Sequence, residues 1–203
     1  MQRKRLIKRT AKTLFLVALF PVALLFWLLA RVGNEDSVFQ SFSQALSLIP
    51  GKLGVYARAA FYRLVCPGTS DEISIGFLTL LSHRDTTIEA GVYIGPQCNI
   101  GKCTIRKNVL IGSGVHILSG KNQHNFSDLK TPIKEQGGAF TKIIIGEDCW
   151  LGNLSVIMES VGEKTIIAAG SVVTKRFSDQ SVLAGNPASP LRSRAEKEKT
   201  DRE

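Results

Sequence analysis

Three histidines, His83, His116 and His124, and four cysteines, Cys66, Cys98, Cys103 and Cys149, are the side chains of this 203-residue chain best suited to proton transfer or metal ligation. A histidine of ordinary pKa, ~6.5, is mostly neutral near pH 7, so it can take a proton from a hydroxyl or hold a metal. The cysteines form no C-x-x-C pair, and no histidine stands where a zinc motif needs one, so they read as small buried apolar residues and no metal is expected. His116 reads as a solvent-facing residue and His83 as a structural one. His124 is set apart by its surroundings. It lies in residues 118–142, twenty-five polar and glycine-bearing residues that interrupt an otherwise regular pattern. An excursion of that length from a compact domain is usually functional. Position alone still leaves an ordinary loop histidine as the competing reading.

The pattern that the loop interrupts has a period of six. Ile88, Ile94 and Ile100 are six apart; after a step of five, Ile105, Ile111 and Ile117 continue; Ile145, Leu151 and Ile157 resume it, and Ile167 and Val173 end it. Gly95, Gly101, Gly112, Gly146 and Gly152 follow the aliphatic residue, and Val92, Cys98, Thr104, Val109, Val115, Cys149, Ser155 and Ser171 stand four places after it. Short β segments alternate inward and outward with a period of two, so positions one and five of each hexamer share the interior. Glycine is expected for the backbone freedom of the corners. Three segments close one triangular coil, and a coil buries its aliphatic residues only against neighbouring coils. About ten hexamers, or three to four coils, are visible. The fold class expected is mainly β, a parallel β-helix of hexapeptide repeats.

The segments ahead of the repeats differ in kind. Of the net charge of +9, Arg3, Lys4, Arg5, Lys8, Arg9 and Lys12 supply six; the remainder is scattered without an aromatic-interleaved basic stripe, so no nucleic-acid partner is expected. Residues 14–30 carry no charge and would make a helix of about 26 Å at ~1.5 Å per residue, near the thickness of a bilayer core. A signal peptide, a single span, and a helix that breaks near Pro21 and returns or lies in the interface are the competing readings. Phe39, Phe42, Leu46 and Ile49 recur at helical spacing until Pro50 and Gly51 end the run. Residues 53–65 set an apolar face beside Arg58 and Arg63, which suits a helix on a membrane surface or one packed on the end of the β-helix. The organisation read is 1–32, basic start and membrane helix; 33–72, amphipathic helical connector; 73–192, β-helix with protruding loop 118–142; and 193–203, charged tail.

The repeats, the histidine-bearing loop, I-G-E-D-C-W-L-G-N at 145–153, A-A-G-S-V-V-T-K at 168–175 and S-V-L-A-G-N-P-A at 181–188 together resemble the hexapeptide-repeat O-acetyltransferases over about residues 73–192. That family includes galactoside, maltose and xenobiotic acetyltransferases and enzymes that modify exopolysaccharide or capsule. The resemblance implies a left-handed parallel β-helix, a homotrimer with active sites between subunits, and acetyl-CoA lying along the groove between coils. It makes His124 the general base, sets Trp150 and Asn153 along the pantetheine arm, and sets Ala169, Thr174 and Lys175 along the cofactor with Arg192 near its phosphates. The chain departs from the family's pattern in three places. The stretch leading to His124 is longer, residues between Ile157 and Ile167 are missing, and Ser189 stands where a basic residue is common. The N-terminal zone resembles membrane-associated polysaccharide acyltransferases instead.

The reaction implied is transfer of acetyl to a sugar hydroxyl of a cell-surface polysaccharide or a glycolipid precursor. The positive-inside tendency puts residues 1–13 in the cytoplasm, and a full crossing would separate the repeats from cytosolic acetyl-CoA. Pro21, the cations Lys52, Arg58 and Arg63, and four unpaired cysteines favour a bacterial inner-membrane protein with its catalytic domain on the cytoplasmic face. Two alternatives remain: a non-catalytic membrane scaffold, and a zinc enzyme like the β-helical carbonic anhydrases. His116 and His124 are eight residues apart, farther than such a zinc site spaces its ligands.

Overall fold

The computed structural model describes residues 2–195, with side chains from residue 6. Residues 196–203 of the tail, and the side chains of Arg3, Lys4 and Arg5 in the basic cluster, lie outside the described residues. Three helices come first: α1 (Gln2–Ala30), α2 (Glu35–Ser47) and α3 (Gly51–Val65). Asn34 caps α2, its Oδ1 accepting from the Ser37 N–H at 3.0 Å, and Glu35 and Asp36 complement the positive end of the helix.

Two-residue strands then wind into coils. The first coil holds β1 (Ser74–Ile75), β2 (Leu80–Leu81) and β3 (Thr87–Ile88); the second β4 (Tyr93–Ile94), β5 (Asn99–Ile100) and β6 (Cys103–Ile105); the third β7 (Leu110–Ile111), β8 (His116–Ile117) and β9 (Ile143–Ile145). The fourth has β10 (Trp150–Leu151), β11 (Val156–Ile157) and, on its third face, only a bridge from Val161 to Ile145. After β12 (Ile166–Ile167) and β13 (Val172–Val173), β14 (Ser181–Ala184) and an antiparallel β15 (Ser189–Ser193) finish the stack. Apart from that last pair the ladders are parallel, and they stack as β1-β4-β7-β10-β12-β14, β2-β5-β8-β11-β13 and β3-β6-β9. Each ladder registers its inward aliphatics directly, as in Ile75, Ile94, Ile111, Leu151, Ile167 and Leu183, all at most 1% exposed.

The array begins at Ile75, within the bounds 73–192 but ahead of Ile88, where the regular period of six starts. The step from Leu81 to Ile88 is seven, through polar residues, which takes the first coil out of that register. The residues missing after Ile157 come from one side of the fourth coil, where Val161 fills the third face after a step of only four. The five-residue step between Ile100 and Ile105 also moves the inward position from Thr104 to Cys103, which is fully buried. Burial pushes the Cys103 thiol up to about 12 and that of Cys149 up to about 11, so both stay protonated and inert.

The glycines after the aliphatic residues have a different cause from the one expected. Left-handed backbone falls mainly on other corner residues, among them Gln97, Asn108, Asp148 and Leu154, with φ between 55° and 60°. Gly95 and Gly146 are needed because coils stack closely: a Cβ on Gly95 would lie 2.7 Å from the Gly112 carbonyl carbon, and one on Gly146 2.6 Å from the Glu163 nitrogen.

In the N-terminal zone the structure chooses among the readings left open. Helix α1 runs unbroken through Pro21, so the chain does not break and return there. Arg58 does not face headgroups. It is fully buried, its Nε donating to the Ile75 carbonyl at 3.0 Å and its Nη1 to the Leu46 and Ile49 carbonyls at 2.9 Å each. The reason is local: α2 ends at Ser47, its last carbonyls need donors, and a cation complements the negative end of the helix. Burial lowers the pKa of this guanidinium. Helix α3 thus closes the first end of the β-helix, and α1 lies against α3, with Phe26, Phe39, Phe61 and Tyr62 fully buried where the helices meet. Ser43 Oγ lies 2.8 Å from Tyr62 Oη and accepts the Leu81 N–H at 2.9 Å, tying α2, α3 and β2 together.

Candidate active site

On the first ladder's outer face a groove of about 700 Å³ crosses β10, β12 and β14. Outward and inward positions alternate along each strand, so while Leu151 and Ile167 fill the core, Trp150 and Ile166 face outward beside one another. Trp150 is 50% exposed and offers a broad apolar face. Asn153 and Ala169 line the groove, and Asn153 Oδ1 accepts from the Ser113 N–H at 3.0 Å, which fixes the amide between adjacent coils. At the end of the stack, β15 returns beside β14 and brings Arg192 opposite Val182. Arg194 joins it, with Nη1 3.2 Å from Asp148 Oδ2.

Trp150, Asn153, Ala169 and Arg192 are therefore brought together. Thr174 and Lys175 are not in this groove. They follow β13, which belongs to the second ladder, and Lys175 Nζ lies 5.5 Å from the Phe177 ring centroid. Sequence reading assigned Arg194 to the tail; its place in the groove depends on the antiparallel return of β15, which a hexapeptide period does not encode.

The histidine loop leaves between β8 and β9. Its two arms face each other through Ala139 N–H to Asn122 carbonyl at 2.8 Å, Asn125 N–H to Gly137 carbonyl at 2.9 Å and Thr141 N–H to Ser119 carbonyl at 2.8 Å. Gly137, at φ 73°, supplies the left-handed turn, and Gly138 leaves room for the Gln123 carbonyl, which a Cβ would strike. Gln136 holds the tip, its Nε2 donating to the Asp128 and Thr131 carbonyls at 2.7 Å each. His124 is exposed in a recess shared with Asn122, Asn125 and Phe126, and neither ring nitrogen has a partner among the described residues. His83 is tied down, with Nδ1 2.8 Å from Asp36 Oδ2 and Phe140 against its ring. His116 is exposed on β8, 3.5 Å from the Asn99 amide nitrogen. Among the described residues no group of three His, Cys, Asp or Glu side chains is placed to hold a metal. A second recess of about 460 Å³, lined by Gln40 and Gln44 of α2 with His83, Asn99 and His116, was not legible in the sequence. Its walls come from segments more than seventy residues apart.

The returning arm is pinned by Lys142, whose Nζ lies 2.7 Å from Asp85 Oδ1, with Lys102 3.4 Å from Oδ2. The Lys142 hydrogen bond holds the Asp85 carboxyl below its usual range. A depressed folded pKa stabilises the native state above the unfolded value of about 4 and is lost as pH falls through the folded value. Asp85→Asn is expected to lower stability near neutrality and to flatten its decline below about pH 4, read by thermal melts across pH. An unchanged acid limb would remove this pair from the account.

No protein-family model matches the chain. A protein of Lysinibacillus sphaericus named as a probable macrolide acetyltransferase is 32% identical over 120 residues, 54% of this chain and 67% of that one. The chain belongs to the hexapeptide-repeat acetyltransferase family. Carnitine operon protein CaiE of Proteus sp. (strain LE138) is 36% identical over 53% of this chain and 58% of its own length. WcaF of Escherichia coli (strain K12), named for colanic acid biosynthesis, is 30% identical over 52% of this chain and 57% of its own. The chain thus spans little more than half of CaiE and WcaF. Among solved structures, a maltose O-acetyltransferase from Clostridium difficile 630 superposes with a TM-score of 0.68 at 18% identity, covering 79% of this chain and 89% of that one. A galactoside acetyltransferase in complex with coenzyme A gives 0.60 at 19% identity, covering 82% and 86%. At these identities the likeness is one of fold.

Proposed function

We propose that this acetyltransferase moves an acetyl group from acetyl-CoA to a sugar hydroxyl of a cell-surface polysaccharide or its lipid-linked precursor, with His124 as general base. The observation that carries the reading is the groove with Trp150 on its floor and Arg192 and Arg194 at its end. An apolar channel suits a pantetheine arm, and paired guanidiniums suit phosphates. The WcaF relationship favours a polysaccharide acceptor.

In the reaction, the neutral imidazole accepts the hydroxyl proton while the oxygen attacks the thioester carbonyl. The tetrahedral intermediate expels the sulfur of CoA, which takes the proton back from the imidazolium, leaving an acetyl ester and free CoA thiol. The recess around His124 and the groove at Trp150 involve different residues, so we place the complete site between copies in a homotrimer of left-handed β-helices. Phe126, Leu129 and Ile133 support this, since the loop presents them 73%, 98% and 56% exposed. We place the enzyme at the cytoplasmic face of a bacterial inner membrane, with access to cytosolic acetyl-CoA.

The test is release of CoA thiol by the full-length protein in the presence of cell-surface glycans, with mass spectrometry of the acetylated product. Arg192→Ala is expected to raise KM for acetyl-CoA roughly tenfold or more with kcat little changed, because a charge-assisted hydrogen bond contributes about 1.5–3 kcal/mol. Failure of the unmodified protein to bind CoA would favour a non-catalytic scaffold.

A further inference from the structure

Helix α1 has two apolar faces, and the fold covers one. Phe15, Leu19, Ala23 and Phe26 recur at three- to four-residue steps and, with Trp27, pack into the core. On the other side Leu14, Val17, Phe20, Leu24, Leu25 and Leu28 are between 49% and 68% exposed. The segment Leu6–Ala30 is long and apolar enough to cross a membrane. Its packing argues against crossing.

The covered face is fastened to the rest of the chain near both ends. Lys12, only 7% exposed, reaches Glu72 Oε1 at 2.6 Å just before the first coil. At the other end the Arg84 guanidinium sits 4.5 Å over the Trp27 ring while pairing with Glu35 at 3.3 Å. About 22 Å of helix lies between these anchors, at ~1.5 Å per residue. A hydrocarbon core is ~30 Å thick, so a crossing α1 would draw Glu72, Glu35 and Arg84 into lipid together with the backbone of the first coil. A charge at the helix centre costs ~2.5–3.5 kcal/mol even on insertion scales.

A helix lying in the interface avoids that cost, because its apolar side sinks ~5–10 Å while the domain stays in water. Charge agrees with this setting. Arg9, Arg31, Lys52 and Arg63 are exposed, and no acidic residue precedes Glu35. Between α1 and α3 a groove of about 700 Å³, lined by Leu16, Val17, Phe20, Pro21, Leu64 and Arg63, opens beside the stripe and offers space for a lipid chain.

We propose that α1 is a membrane-parallel anchor that docks on an anionic bilayer and leaves the β-helix on the same side as both of its own ends. This is independent of the acyl-transfer reading. Flotation of the full-length protein with phosphatidylcholine vesicles, alone or mixed with phosphatidylglycerol, tests it. Binding to the mixed vesicles is expected to be at least tenfold tighter. Leu24→Glu is expected to weaken that binding at least tenfold at unchanged melting temperature, and Val17→Glu repeats the test at a second outward site. Val32, 92% exposed just after α1, gives the topology: all four native cysteines are buried, so Val32→Cys is the accessible thiol. An impermeant maleimide should label it only after the cells are permeabilised. Labelling on intact cells would mean that α1 crosses. Vesicle binding unaffected by either outward charge, or a loss of oligomer mass in its place, would assign the stripe to something other than lipid; each result overturns the proposal.

Discussion

His124→Ala is expected to lower kcat for acyl transfer by ~10²–10⁴-fold while leaving CoA affinity and oligomer mass within error, the range typical of a lost general base. The exposed loop explains why the effect should be confined to chemistry. His124 makes no hydrogen bond to a described side chain, and the loop's arms are held by backbone bonds and by Gln136, so removing the imidazole leaves its frame standing. His116→Ala is the matched control. That ring lies on the outer face of β8, its one hydrogen-bonding neighbour among the described residues is the Asn99 amide, and kcat should stay within a few-fold of the unmodified enzyme. Retention of more than a tenth of kcat by His124→Ala would remove His124 from the role of base.

Arg58→Met should cause the largest loss of stability in the chain. The side-chain volume is roughly kept, but the carbonyls of Ile49 and Ile75 lose their donor together, while that of Leu46 keeps the Ile49 N–H at 3.3 Å. Relief from burying a cation opposes this. Unpaired buried polar groups cost about 1–3 kcal/mol each, so the two outweigh that relief and the net loss should be about 3 kcal/mol. At ~2–4 °C per kcal/mol for a domain of this size, the melting temperature should fall by roughly 10 °C. Arg58→Lys should recover only part of it, because one ammonium lacks the fork that serves carbonyls in two directions. A melting temperature for Arg58→Met within about 2 °C of the unmodified protein would show that the carbonyls find water or other donors.

The acid limb expected from Asp85→Asn and the KM effect expected from Arg192→Ala act at other places. Asp85 concerns how the loop is pinned. Arg192 concerns the groove that holds the acyl donor in our reading.

The period of six determined the parallel β-helix, because an inward aliphatic every sixth residue is a local pattern that only stacked coils can bury. Ile94, Cys98, Ile100, Val109 and Ile111 carried that information by themselves, and each is at most 1% exposed. The family resemblance of the motif at 145–153 set Trp150 and Asn153 along a groove, and both line the one beside β10. Where spacing deviated, the register misled: the seven-residue step left the first coil out of the repeat though within the bounds 73–192, and the five-residue step put Cys103 inward in place of Thr104. Only the tertiary structure decided what lies between distant segments. It brought Arg194 into the groove through the return of β15 and separated Thr174 and Lys175 from Ala169 across a corner. It also buried Arg58 under the end of α2 and laid one face of α1 along α3. The physical reason is the same in each case. A periodic pattern states which side of its own strand or helix a residue occupies, whereas the partner across that side is set by how coils, caps and helices close on one another.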